Sequence, residues 1–228
     1  MVIIGLILLV AVILIVVPQL WVLQTIERHA VERPDLGGTG ADFARHALDG
    51  MKLTDVKVEV TELGNHYDPE ARAVRLEPRF FNGKSVSAIA ISAHEVGHAM
   101  QHALNLPMFE RRLKVAKQAQ YMGYIAQAFL WSAPILLLVG KSTTALILNV
   151  VGFGGMAILS FALQVLTLPV EFDASFRRAM PLLRDGRFLH ERDLAAARQL
   201  LNAAAYTYVA ALLRSILSLP LAGRGIRL

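Results

Sequence analysis

The sequence predicts a mainly α-helical integral membrane protein with three to four membrane helices, a small β-hairpin and one helix that carries an HExxH motif. Three observations carry that expectation. Of the 228 residues, 55% are hydrophobic and only 18% are charged, against about 25% charged in an ordinary soluble domain. Charge is also segregated along the chain. Residues 1–26 carry none, Lys141 is the only charged residue between Gln118 and Val170, and all 18 acids fall between Glu27 and Asp193. The third observation is His94-Glu95-Val96-Gly97-His98 inside an alanine-rich run from Ser85 to His102.

Composition excludes several classes of function. A chain this apolar has ample surface to bury and is not disordered. The absence of cysteine removes a disulfide framework, a thiolate metal site and a cysteine nucleophile, so a metal here is held by His, Asp or Glu. The net charge of +5 and the pI near 9.7 come from bases interspersed with nearly as many acids. No helix is basic throughout and there is no aromatic stacking motif, so nucleic acid is not an expected partner.

In chain order, Val2 to Leu23 is an apolar run broken only by Pro18 and Gln19, long enough to cross a hydrocarbon core of roughly 30 Å. It lacks a basic start and a small-residue cleavage site, and reads as a retained anchor. Ala41 to Gly50 suits a short amphipathic helix closed by glycine. Lys57 to Thr61 and Ala73 to Leu76 alternate as strands do, with a turn over Gly64 to Pro69, which predicts a β-hairpin. The second strand is expected to lie at an edge, where it could bind an extended substrate. Ser85 to His102 follows as one helix, and Phe109 to Gln120 as a helix basic on one face, either a gate or an interfacial collar.

Tyr121 to Val139 and Thr144 to Leu168 then read as a helical hairpin through the bilayer, joined at Gly140–Thr143. Ala203 to Leu221 is apolar but carries Arg214 and Pro220, which fits an interfacial or protein-packed helix as well as a span. The expected organisation is an anchor over 1–23, a catalytic region over 24–118, a transmembrane hairpin over 119–168, a third-ligand region over 169–202 and a C-terminal apolar helix over 203–228. Arg111, Arg112, Lys114, Lys117, Arg177 and Arg178 flank the open end of the hairpin. Positive residues beside spans favour the cytoplasm, so both polar regions are expected to face it from the inner membrane. The hairpin crosses twice, which returns both regions to one side.

The motif spacing has a physical meaning. Residues i and i+4 of a helix share a face, so His94 and His98 can bind one Zn²⁺ while Glu95 projects beside them as a general base. His102 adds another i+4 step but lies about 12 Å along the axis from His94, too far to share the ion on an unbroken helix. Gln101 and Leu104 stand where a longer HExxHxxGxxH pattern needs Gly and His. A third ligand must come from elsewhere. Glu171 and Asp173 follow the hairpin on the side of the motif. Glu171 is the expected ligand, which completes a set of two His and one carboxylate, and Asp173 is an interfacial cap or a supporting acid.

HEVGHAMQH, preceded by Asn65-His-Tyr-Asp-Pro69 and followed by Leu168-Pro-Val-Glu-Phe-Asp-Ala-Ser175, resembles the YugP-like neutral zinc metallopeptidases, which are bacterial membrane proteins. The likeness covers most of residues 60–180, with its three motifs in order. A more distant similarity is to HtpX-like and CAAX prenyl proteases, in which a Glu on a later helix completes the site within a Glu-x-x-x-Asp pattern. Glu171 matches the ligand, but Ser175 stands where the Asp would be, which leaves the group that orients His94 undefined by the pattern. The resemblance implies a membrane-embedded zinc endopeptidase acting on polypeptides, membrane proteins among them. Tyr67, His66, Arg177 and Arg178 are the candidate oxyanion donors.

Two other classes compete with that reading. A non-catalytic membrane scaffold would close a structural metal site with a fourth protein ligand. A metal transporter would place polar ligands inside its spans, and these offer only Gln127, Asn149 and Gln164.

Overall fold

The computed structural model describes residues 16–139 and 143–217. Residues 1–15 of the anchor expected over 1–23, the turn residues 140–142 and the chain beyond 217 lie outside the described residues. The described chain is mostly helical with one small sheet. Helix α1 occupies residues 16–28, and α2 runs Gly40–Gly50, opened by a reciprocal cap in which Thr39 and Asp42 each satisfy the other's backbone N–H.

The strands are β1 (Lys57–Val60), β2 (His66–Asp68) and β3 (Ala73–Leu76). Their order in the sheet is β1-β3-β2. β1 pairs with β3 in parallel, and β2 pairs with β3 antiparallel, Tyr67 facing Val74. This corrects the expected hairpin. The Gly64–Pro69 turn contains a strand of its own, and it is β2 that folds back on β3. Ala73–Leu76 is therefore the central strand, not an edge. Alternation shows that a segment can lie in a sheet, but it does not name its neighbour or direction.

After the single turn α3 (Pro78–Phe81) comes α4 (Val86–Ala103), whose Ser85 hydroxyl accepts from the Ala88 N–H. Nearly every residue of α4 is buried, as befits a helix packed on all sides. α2, β3 and β2, the segment Asp173–Ala179 and the helix Leu194–Leu217 all lie against it, so the core forms around this helix through Phe43, Leu76, Ile89, Val96 and Leu201.

Helix α5 (Pro107–Val139) merges the expected basic helix with the first arm of the hairpin, and α6 (Thr143–Phe172) is the second arm. They pack along a seam of Ala116, Ala119 and Leu163. α6 contains Pro169, and from Asp173 to Ala179 the winding widens to π-helical before α7 (Met180–Asp185) and, after a short 3₁₀ turn at Glu191–Asp193, α8 (Leu194–Leu217). Proline removes one backbone donor and crowds the preceding turn, and π-helical turns commonly occur at functional sites. Among the described residues one stretch, Gly154–Asp185, is long and apolar enough to cross a membrane, with mean hydropathy 1.6 over its most apolar 18 residues. Three to four spans were expected.

Candidate metal centre

His94, Glu95 and His98 are carried on the most buried helix of the protein, and Glu171 reaches them from the last turn of α6. All four are buried, Glu171 completely. One ligand atom from each of His94, His98 and Glu171 lies within 4.8 Å of the others. Glu171 Oε2 is 3.1 Å from His94 Nε2 and 3.4 Å from His98 Nε2.

The remaining ring nitrogens decide what this contact means. His98 Nδ1 lies 2.9 Å from Gln101 Oε1, and Gln101 Nε2 donates to Val170 O at 2.8 Å and to Asp173 Oδ2 at 2.9 Å. The amide is thereby oriented with its oxygen toward His98, so His98 Nδ1 carries the proton. His94 Nδ1 lies 3.1 Å from Ser175 Oγ, a hydroxyl able to accept its proton. With both Nδ1 protons on these acceptors, the Nε2 lone pairs face the Glu171 carboxylate at 3.1 and 3.4 Å, acceptor toward acceptor. Glu171 Oε1 is buried and has no hydrogen-bond partner. Lone pairs converging on a buried carboxylate oxygen are what a cation would satisfy, and two imidazoles with one carboxylate suit Zn²⁺.

The close approach of the two halves depends on Gly97. A Cβ at that position would lie 2.7 Å from the Ala174 carbonyl oxygen. The glycine inside the motif thus lets α4 touch the backbone of the π-helical turn that follows Glu171.

Burial pushes the Glu95 carboxyl up to about 7, helped by the Glu171 charge and opposed by His94 and by the Tyr67 backbone N–H, which donates to it. A bound dication would draw it down again.

Of the candidate oxyanion donors, the Tyr67 phenol is turned to His102 Nδ1 at 2.9 Å, and burial raises its pKa to about 12. His102 thus serves Tyr67 and stands apart from the cluster. His66 Nδ1 donates to Gly64 O, and Arg177 is exposed on the π-helical turn. Arg178 donates to Asp173 at 3.1 Å, and Asp173 holds Gln101. The sequence reading missed Arg112 of α5, whose guanidinium is 3.6 Å from Glu171 Oε1 and mostly buried. No local pattern pointed to it, because α5 meets the site only through the tertiary fold. Gln101 was also missed, although its position three residues after His98, one helical turn on, was a usable signal.

A family model described as "Putative neutral zinc metallopeptidase" matches residues 4–222. The chain is also 37% identical over 205 residues to "Putative membrane protease YugP" of Bacillus subtilis (strain 168), covering 88% of this chain and 86% of that protein. No solved structure matches it. With a family match over nearly its whole length and a donor set suited to zinc, the chain belongs to the neutral zinc metallopeptidase family.

Proposed function

We propose that the protein is a membrane-embedded endopeptidase in which His94, His98 and Glu171 hold Zn²⁺ and Glu95 is the general base. The observation that carries this is the convergence of the three ligand atoms within 4.8 Å beside a buried carboxyl. Zinc supplies Lewis acidity, which makes water acidic near neutral pH and polarises a peptide carbonyl. Glu95 accepts the proton of the attacking water and returns it to the departing amine, so that OH adds to the carbonyl carbon and H to the nitrogen as the C–N bond breaks. Ser175 and Gln101 hold the two imidazoles in the ligating tautomer. The apolar helices anchor the enzyme in the inner membrane, the basic residues at the base of α5 favour a cytoplasmic active site, and polypeptides, membrane proteins among them, are its substrates.

Replacing Glu95 by Gln tests the base. Hydrolysis is expected to fall about 10²–10⁴-fold, the usual contribution of a positioned general base, while zinc stoichiometry is retained. Replacing Glu171 by Gln is expected to reduce zinc stoichiometry itself. If proteolysis survives in Glu95→Gln, or if zinc is lost on replacing Asp173 but not Glu171, the assignment is wrong.

A further inference from the structure

Next to Glu95 lies a cleft of about 180 Å³ that the reaction chemistry does not use. α4 contributes Ile91 to its wall, α1 contributes Val22 and Ile26, and α8 contributes Leu200 and Ala204. His94 and Glu95 themselves form one side. The walls come from three helices far apart in sequence, and nearly all of the lining is apolar. Besides His94 and Glu95, Asn65 is the polar residue of the lining. Its Oδ1 is taken by the Glu77 N–H at 2.8 Å, so its amide N–H₂ is the donor the cleft offers to a peptide carbonyl. A cavity of about 150 Å³ is enough to take a benzene ring, so this space fits one leucine- or phenylalanine-sized side chain. Its wall helices also carry Trp21 on α1 and Tyr206 on α8, edge to face with centroids 6.0 Å apart and both exposed, the residue types that mark a membrane boundary.

We propose that this cleft is the specificity subsite, receiving a bulky apolar side chain of the substrate residue that flanks the scissile bond. The inference rests on the hydrolase reading and adds the substrate class to it: polypeptides cut beside Leu, Ile, Met or Phe. Position carries the assignment. A side chain seated between α1 and α8 brings the adjoining peptide bond to Glu95 and to the imidazoles, while Asn65 is placed to hold the main chain. A polar side chain there would lose its water and find little to bond.

The test uses full-length, detergent-solubilised, zinc-loaded protein and a peptide mixture varied at one position, with cleavage sites read by mass spectrometry. Zinc-dependent cleavage beside large apolar residues, at least tenfold above Gly or Asp, is expected. Ala204→Trp fills the cleft and should shift preference at least tenfold toward Gly and Ala. Leu200→Ala enlarges it and should raise cleavage beside Trp. In both variants zinc stoichiometry should stay at the wild-type value.

Equal cleavage beside Gly and Leu in the wild type, or unchanged profiles in both variants, overturns the subsite and leaves the hydrolase reading standing. If the wild type shows no zinc-dependent cleavage of any peptide, both fall. A second readout does not depend on turnover. A photo-leucine peptide bound to Glu95→Gln protein should crosslink to residues 16–28 and 194–206, and crosslinks confined to other segments overturn the proposal.

Discussion

At the scale of single residues, the metal site depends on groups that never touch the metal. Gln101 is completely buried and makes three hydrogen bonds, accepting from His98 and donating to Val170 O and Asp173. Gln101→Leu is close in size and removes all three. His98 then loses the acceptor that fixes its tautomer, and Val170 O and Asp173 each lose a donor, Asp173 keeping the Arg178 guanidinium. We expect zinc affinity, measured by chelator competition, to fall about 10–100-fold, the usual effect of losing such a support. Gln101→Glu retains the acceptor for His98 and should recover part of that loss if the orienting bond is what matters. Ser175→Ala should weaken zinc by a smaller factor, since one neutral hydrogen bond to His94 is removed. The Glu-x-x-x-Asp pattern left the orienting group of His94 undefined. Ser175 fills that place because it lies one turn from Glu171 and its hydroxyl can accept what a carboxylate would.

At the scale of elements, the site is the contact between α4 and the end of α6, and its tightness is set by Gly97. Adding one methyl places carbon 2.7 Å from a backbone oxygen, well inside van der Waals contact. Neither neighbour is the free end of a side chain, so one of the two elements must move. Gly97→Ala is therefore expected to cost about 1–3 kcal/mol of stability through overpacking, despite the better helix propensity of alanine. Because the displaced backbone carries Glu171, zinc affinity should fall as well. Thermal unfolding with and without zinc separates the two: the stabilisation by zinc should shrink along with the metal-free midpoint. If Gly97→Ala binds zinc like the wild type, the close approach does not control the site.

The same scale shows what the sequence disclosed. The helix of the motif and the two hydrophobic arms follow from local spacing and composition, so they were legible. Glu171 was legible because the return of the hairpin limits which acids can reach the histidines. The order β1-β3-β2 and the placing of Arg112 over Glu171 were not. Each depends on which distant segments meet, which no local period records.

For the whole molecule, the open question is what covers the apolar surface that lies away from the core. On α6, Ile147, Val151, Ile158, Phe161 and Val165 are all exposed. At 100° per residue they share one face, and with exposed Phe172 the stripe extends roughly 37 Å along the axis, enough to match a hydrocarbon core of roughly 30 Å. Trp131 on α5 and Leu20 on α1 are exposed too. Such a continuous apolar face is too long for an ordinary soluble surface, and lipid is the occupant that matches its length. An arginine on that face must be buried in hydrocarbon or pull the helix toward the interface, at about 2.5–3.5 kcal/mol near the centre of a span. Ile158→Arg is thus expected to reduce the carbonate-resistant membrane fraction of the protein, whereas Glu62→Arg, on an exposed loop beside the sheet, should leave it unchanged. If Ile158→Arg stays in the carbonate-resistant fraction to the same extent as the wild type, this face of α6 is not turned to lipid and must be covered by protein.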